Sequence, residues 1–151
     1  MTRKKYGDDF STGEIFHTAG ITLTESHIVN WAGLTMDFYP LHMDIEYAKQ
    51  SQFGERLVHG PLIFALGVGL VSSSGIAEDA AIAWCGVDNM RMLAPVKIGD
   101  TISVEVEVLA IKETSNPLKA LQTWQYRISN QDHKIVLIFD YEMLFHMRPK
   151  N

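Results

Sequence analysis

Asp37 and His42 stand five residues apart, with Pro40 between them, in the stretch Asp37-Phe38-Tyr39-Pro40-Leu41-His42-Met43-Asp44. Pro40 fixes its own φ and pushes Tyr39 toward extended backbone, so the segment reads as a rigid loop rather than a helical turn. A rigid loop can aim a carboxylate and an imidazole at one small volume, where together they can activate a single water by acid/base chemistry. Downstream, His59-Gly60-Pro61 opens a long apolar run. Gly60 lets its backbone N–H come close to a ligand, and Pro61 suits the first position of a helix. The parts in order are an acid/base pair, a short helix, a backbone donor for a developing oxyanion, and a long helix.

Several elements must hold these parts in place. Ile15 to Leu23, rich in β-branched residues and threonine, reads as a first strand, after a loose lead-in over residues 1–10. Thr24 is a helix N-cap, and Ile28, Val29, Trp31 and Ala32 give a short amphipathic helix that Gly33 and Thr35 end. Asp44 caps a second short helix from Ile45 to Gln50, which presents Tyr47 and Ala48. The main helix runs from about Pro61 to Ser73 and is apolar on nearly every face, so it should be wrapped by other structure. Gly67 and Gly69 weaken it but permit strands to approach closely. Past residue 79 the period becomes two. Strands are expected at Ala81 to Leu93, around Ile102 to Val108, at Leu118 to Ser129, and from Ile135 to Phe145. One strand, a buried helix and four consecutive antiparallel candidates make an α+β domain with a sheet curled around the helix.

Composition limits the classes of function. The 151 residues, 46% hydrophobic, suit a single domain over 1–151. A formal charge of −5 argues against a nucleic-acid binder. Arg3-Lys4-Lys5 is followed by Gly7-Asp8-Asp9 with no apolar stretch between, so no secretory signal is expected. The run Leu62 to Val71 is too short to cross a bilayer. The single cysteine, Cys85, can form no internal disulfide, which suits a reducing cytoplasm; within Ala83-Trp84-Cys85 it is expected in inert core. No His/Cys/Asp spacing matches a zinc site, and no metal is expected. Asp44 reads as a cap rather than a catalyst, and His17, His27, His133 and His146 as surface or strand residues.

The Asp37–Asp44 stretch, with Tyr47-Ala48, Phe53-Gly54 and His59-Gly60, resembles the hydratase motif of the MaoC-like dehydratases, which include the (R)-specific enoyl-CoA hydratases. Met92-Leu93-Ala94-Pro95-Val96 followed by Gly99-Asp100-Thr101 is similar to the family's strand-to-strand turn. The resemblance covers the middle half of the chain. Tyr39 stands where the family usually has Asn, and Pro61 where Met usually follows His-Gly.

The resemblance implies a hot-dog fold and reversible hydration of a trans-2-enoyl thioester to the (R)-3-hydroxyacyl thioester. Asp37 and His42 would hold the water, one of them returning a proton to Cα, and the Gly60 N–H would stabilise the enolate-like oxygen. The acyl chain would lie along the central helix near Tyr39, Phe53, Leu62 and Trp84, and His59 would line the site or orient its loop. The partner would be an acyl-CoA or acyl-carrier-protein thioester, with no cofactor beyond it. Lys49, Arg56, Arg91, Lys97 and Arg148 are candidates for its phosphates. An open sheet edge and the family habit point to a homodimer or larger. Two other readings are a hot-dog thioesterase, which would not need the Asp/His pair, and a non-catalytic acyl-CoA-binding module with Tyr39 closing the pocket.

Overall fold

The alternating patterns of the second half of the chain fold as antiparallel strands with one face against a helix. The computed structural model describes residues 4–149. A 3-10 turn at Gly7–Asp9 precedes strands β1 (Ile15–His17) and β2 (Ile21–Thr22). Helices α1 (Glu25–Thr35), α2 (Pro40–Met43), α3 (Ile45–Gln50) and α4 (Gly60–Ser73) follow, then β3 (Ala81–Met92), β4 (Thr101–Glu113), β5 (Lys119–Ser129) and β6 (Ile135–His146). The sheet order is β1-β4-β5-β6-β3, with β2 also on β4, and the pairs are antiparallel. No described helix is long and apolar enough to cross a membrane.

Ile102, Val104, Val106 and Val108 of β4, Trp124, Tyr126 and Ile128 of β5, and Leu137, Phe139 and Phe145 of β6 are buried on the inner face. On the other face Arg127 bridges Glu105 at 2.7 Å and Glu107 at 2.8 Å, a cross-strand ion pair that pins the β4–β5 register. Helix α4 packs into the inner face at Gly67, where a Cβ would lie 2.3 Å from Ile128 Cδ1. Close approach therefore needs glycine there. Gly69 has open space around it, so the same expectation fails one turn-fraction away.

Other expectations also change. The first strand is broken in two, because the Thr18 hydroxyl rather than a backbone carbonyl takes the Val104 N–H, at 3.0 Å. Residues 4–10 are not a loose lead-in. Phe10 is buried edge-on against Trp124 and Phe145, with centroids at 5.0 and 5.7 Å, and Gln122 Nε2 donates to the Gly7 carbonyl at 3.0 Å. Residues 1–3 lie outside the described residues. Helix α4 is only partly wrapped: Leu62, Ile63, Gly67 and Val71 are buried, whereas Phe64, Leu66, Val68 and Leu70 are half-buried. Strand β3 pairs with β6, the last strand, and its other edge has no strand partner among the described residues. Trp84, Met92 and Leu93 are consequently exposed, and so is Cys85, which is not a core residue.

Candidate active site

Helix α1 ends at Thr35, and Met36, in the left-handed region at φ 64°, turns the chain toward Asp37. Tyr39, before the proline, is non-helical with ψ 131°, as expected. Pro40 then opens the one-turn helix α2, which carries His42. The segment is therefore not loop alone, as its sequence suggests: a residue with φ fixed near the helical value and no N–H to satisfy fits the first helical position. Asp44 caps α3 by accepting from the Glu46 and Tyr47 amides at 2.9 and 3.0 Å. Arg56 ties this region down, donating to Glu25 at 2.6 Å and to the His42 carbonyl at 3.4 Å.

Two backbone carbonyls set the states of the two histidines. Nδ1–H of His42 donates to the Leu57 carbonyl at 2.8 Å. A carbonyl only accepts, so Nδ1 carries the hydrogen and Nε2 presents a lone pair. Likewise Nε2–H of His59 donates to the Asp37 carbonyl at 3.0 Å, and His59 Nδ1 is buried with no described partner. The imidazoles lie 4.0 Å apart at 32°. One ligating atom each of Asp37, His42 and His59 lies within 4.8 Å of the other two. Such a grouping could hold a metal ion; it also suits a water shared between Asp37 and His42, the half-buried members, since His59 is fully buried.

Helix α4 contributes one unengaged amide. Pro61 has no N–H, and those of Leu62 and Ile63 both go to the His59 carbonyl, at 3.1 and 3.2 Å. No described acceptor takes the Gly60 N–H, which stands at the positive end of a 14-residue helix. Gly60 and His42 line a groove of about 390 Å³ with Phe53, Leu57, Met92, Leu93 and Pro95.

The structure thus brings Asp37, His42, His59, Gly60 and Phe53 together. Tyr39 flanks them, half exposed, with its hydroxyl 3.4 Å from that of Tyr47. Leu62 and Trp84 do not join the groove. Leu62 is on another side of α4, facing Trp31 and Leu34 of α1, and Trp84 stacks on Tyr141 at 5.8 Å on the sheet edge. His59 is fully buried and its ring holds the Asp37 backbone carbonyl. Met92, Leu93 and Pro95 form a wall that the sequence showed only as a turn. The Leu57 carbonyl, which sets the His42 tautomer, leaves no side-chain signal at all. Of the five basic candidates, Lys49, Arg56, Lys97 and Arg148 are paired with carboxylates; Arg91, next to Met92, has no carboxylate partner among the described residues.

Burial, and the adjacent His42 to a smaller degree, hold the His59 imidazole below its ordinary range, against the opposing hydrogen bond to the Asp37 carbonyl. The unfolded chain therefore binds a proton at His59 more readily than the folded one as pH falls below about 6.5. Stability contributed by neutral His59 is present above that pH and lost as the pH falls toward the depressed folded value. His59→Gln is expected to flatten the fall in urea midpoint between neutral and mildly acidic pH; an unchanged slope would show that the loss arises elsewhere.

Comparison with known proteins agrees with this architecture. The MaoC like domain matches residues 9–127, and the chain belongs to that family. It is 41% identical over 103 residues to protein MaoC of Klebsiella aerogenes, covering 68% of this chain and 30% of that protein. It is 33% identical over 107 residues to an (R)-specific enoyl-CoA hydratase of Rhodospirillum rubrum, covering 70% of this chain and 71% of the relative. The crystal structure of an Archaeoglobus protein described as a monoamine oxidase regulatory protein superposes with a TM-score of 0.92 at 32% identity, covering 99% of both chains. A Mycobacterium tuberculosis protein with a double hot-dog fold matches with a TM-score of 0.85, covering 97% of this chain and 46% of that one; at 20% identity this concerns the fold alone. The fold is the hot-dog fold. The chain spans less than a third of the Klebsiella protein's length.

Proposed function

We propose that this protein adds water reversibly to a trans-2-enoyl thioester, giving the (R)-3-hydroxyacyl thioester. The observation that carries this reading is the His42 Nδ1–H bond to the Leu57 carbonyl, which leaves Nε2 as an acceptor on a ring one nitrogen of which lies within 4.8 Å of an Asp37 carboxylate oxygen. Asp37 and His42 hold one water between them. As its oxygen bonds to C3 of the enoyl group, the C2–C3 π pair moves toward the thioester oxygen, and the proton lost by the water returns to C2. The free Gly60 N–H stabilises the enolate-like oxygen; one such donor is worth about 3 kcal/mol in the transition state. All atoms come from water and substrate, so this chemistry calls for no cofactor. The name of the Rhodospirillum relative supports both the reaction and its stereochemistry.

The thioester is expected as acyl-CoA or acyl-carrier-protein conjugate, with Arg91, which has no carboxylate partner among the described residues, as the candidate cation for its phosphates. The free edge of β3 and the exposed Trp84, Met92 and Leu93 support pairing with a second copy along that edge. The test is the enoyl-thioester absorbance of crotonyl-CoA, followed together with free thiol. Loss of absorbance with no thiol released is the expected result. Thiol release would favour a thioesterase, and tight binding with no turnover a binding module.

A further inference from the structure

A second cavity, of about 240 Å³, opens at the other end of α4, where Val68, Val71 and Ser72 face Tyr126 of β5 and Tyr141 of β6. Tyr126 is 1% exposed and Tyr141 8%, and their rings lie 5.2 Å apart. Neither hydroxyl has a hydrogen-bond partner among the described residues, and neither oxygen is sealed off as His59 Nδ1 is. Both side chains line the cavity, so their hydroxyls are open to hydrogen bonds with a molecule that enters it. Burial pushes both phenols up, Tyr141 adding to the effect on Tyr126, so they keep their protons and remain donors.

The cavity and Gly60 lie along the same face of α4. Gly60, Phe64, Val68 and Val71 share one face of α4 by their spacing of three and four. Phe64 packs edge-on against Phe139 at 4.9 Å and reaches Tyr141 at 6.4 Å, midway between groove and cavity. A chain running from Gly60 past Phe64 reaches Val68 after about 12 Å. Glu78 and Asp79 also line the cavity and disfavour an anionic end.

Resting on the hydratase reading, we propose that this cavity takes the far end of the acyl group, and that Tyr126 and Tyr141 select chains ending in a neutral oxygen, a hydroxyl or a carbonyl, over plain hydrocarbon. Such a terminal oxygen accepts from one or both phenols, while Val68 and Val71 cover the methylenes before it.

The test uses saturated acyl-CoAs, which cannot be hydrated, titrated into the intact protein by calorimetry. Two chains of equal length, long enough to span the distance above, end in a hydroxyl or in a methyl group; butyryl-CoA serves as a short control. Wild type is expected to bind the hydroxyl chain at least tenfold more tightly than the methyl chain, and Tyr126→Phe or Tyr141→Phe each to remove up to about tenfold of that preference. Affinity for butyryl-CoA should not change in either variant, which also reports that they fold. Equal binding of the two long chains by wild type, no binding of either, or a preference that survives the double variant would each overturn the proposal and leave the phenols facing water. Turnover plays no part in this measurement. Failure of crotonyl-CoA hydration with the preference intact would remove the hydratase reading and leave the cavity assignment standing.

Discussion

Asp37→Asn and His42→Ala are each expected to lower the hydration rate of crotonyl-CoA by about 10²- to 10⁴-fold, the usual range for a positioned acid or base. Asn keeps the shape of Asp37 but cannot carry the negative charge that polarises the water. Ala removes the Nε2 lone pair that the Leu57 carbonyl directs by holding Nδ1–H. On the proposed mechanism both groups act on one water, so the double variant should be little worse than the poorer single variant, rather than the product of the two losses. His42→Gln gives a further distinction: its amide can still reach the Leu57 carbonyl but is no base, so it should fold as wild type and remain slow. Full activity in any of these variants, with single-turnover kinetics confirming that chemistry is measured, would remove the pair from the mechanism.

Gly67→Val is expected to destabilise the fold by about 3 kcal/mol, at the upper end of overpacking costs. The first atom of any side chain at this position would stand 2.3 Å from Ile128 Cδ1 and 3.2 Å from its Cγ1, and Ile128 is itself fully buried. Alanine would gain up to about 1 kcal/mol of helix propensity over glycine, too little to outweigh the clash. Valine, β-branched, gains less and needs more room. Ile128→Ala alone should cost about 2–5 kcal/mol by leaving a cavity. Together, the large residue on the helix fills the space vacated on the strand, so the urea-derived losses should fall short of their sum by more than 1 kcal/mol. Strict additivity would mean that α4 shifts away from β5 instead of clashing with it. In that case the Gly60 N–H should move with the helix, and crotonyl-CoA hydration should fall even at temperatures where the variant is folded.

Much of this molecule follows from local rules acting on neighbours in sequence. The period of two in Ile102–Val108 and Ile135–Phe145 marks strands with one buried face. Asp44 can satisfy the first amides of the helix after it, and does. Pro61 and the Ser74-Gly75 pair bracket α4, which begins one residue earlier than Pro61 suggests and ends at Ser73 as expected. The Asp37–His42 spacing and the free amide of Gly60 belong to the same class, since each depends on a handful of consecutive residues. Chain order, however, says nothing of which strand lies beside which. Only the tertiary structure puts β3 against β6 and leaves its other edge open, and that exposes Trp84 and Cys85, which an apolar local context would have buried. Leu62 went to the α1 side because a helix apolar all round carries no local mark of which face meets which neighbour. The two carbonyls that assign the histidine tautomers come from Leu57 and Asp37, 15 and 22 residues from the rings they hold. Every residue has a backbone carbonyl, so no residue type announces such a contact. Sequence by itself determined which groups could do the chemistry; the long-range packing decided which nitrogen of His42 is left to do it.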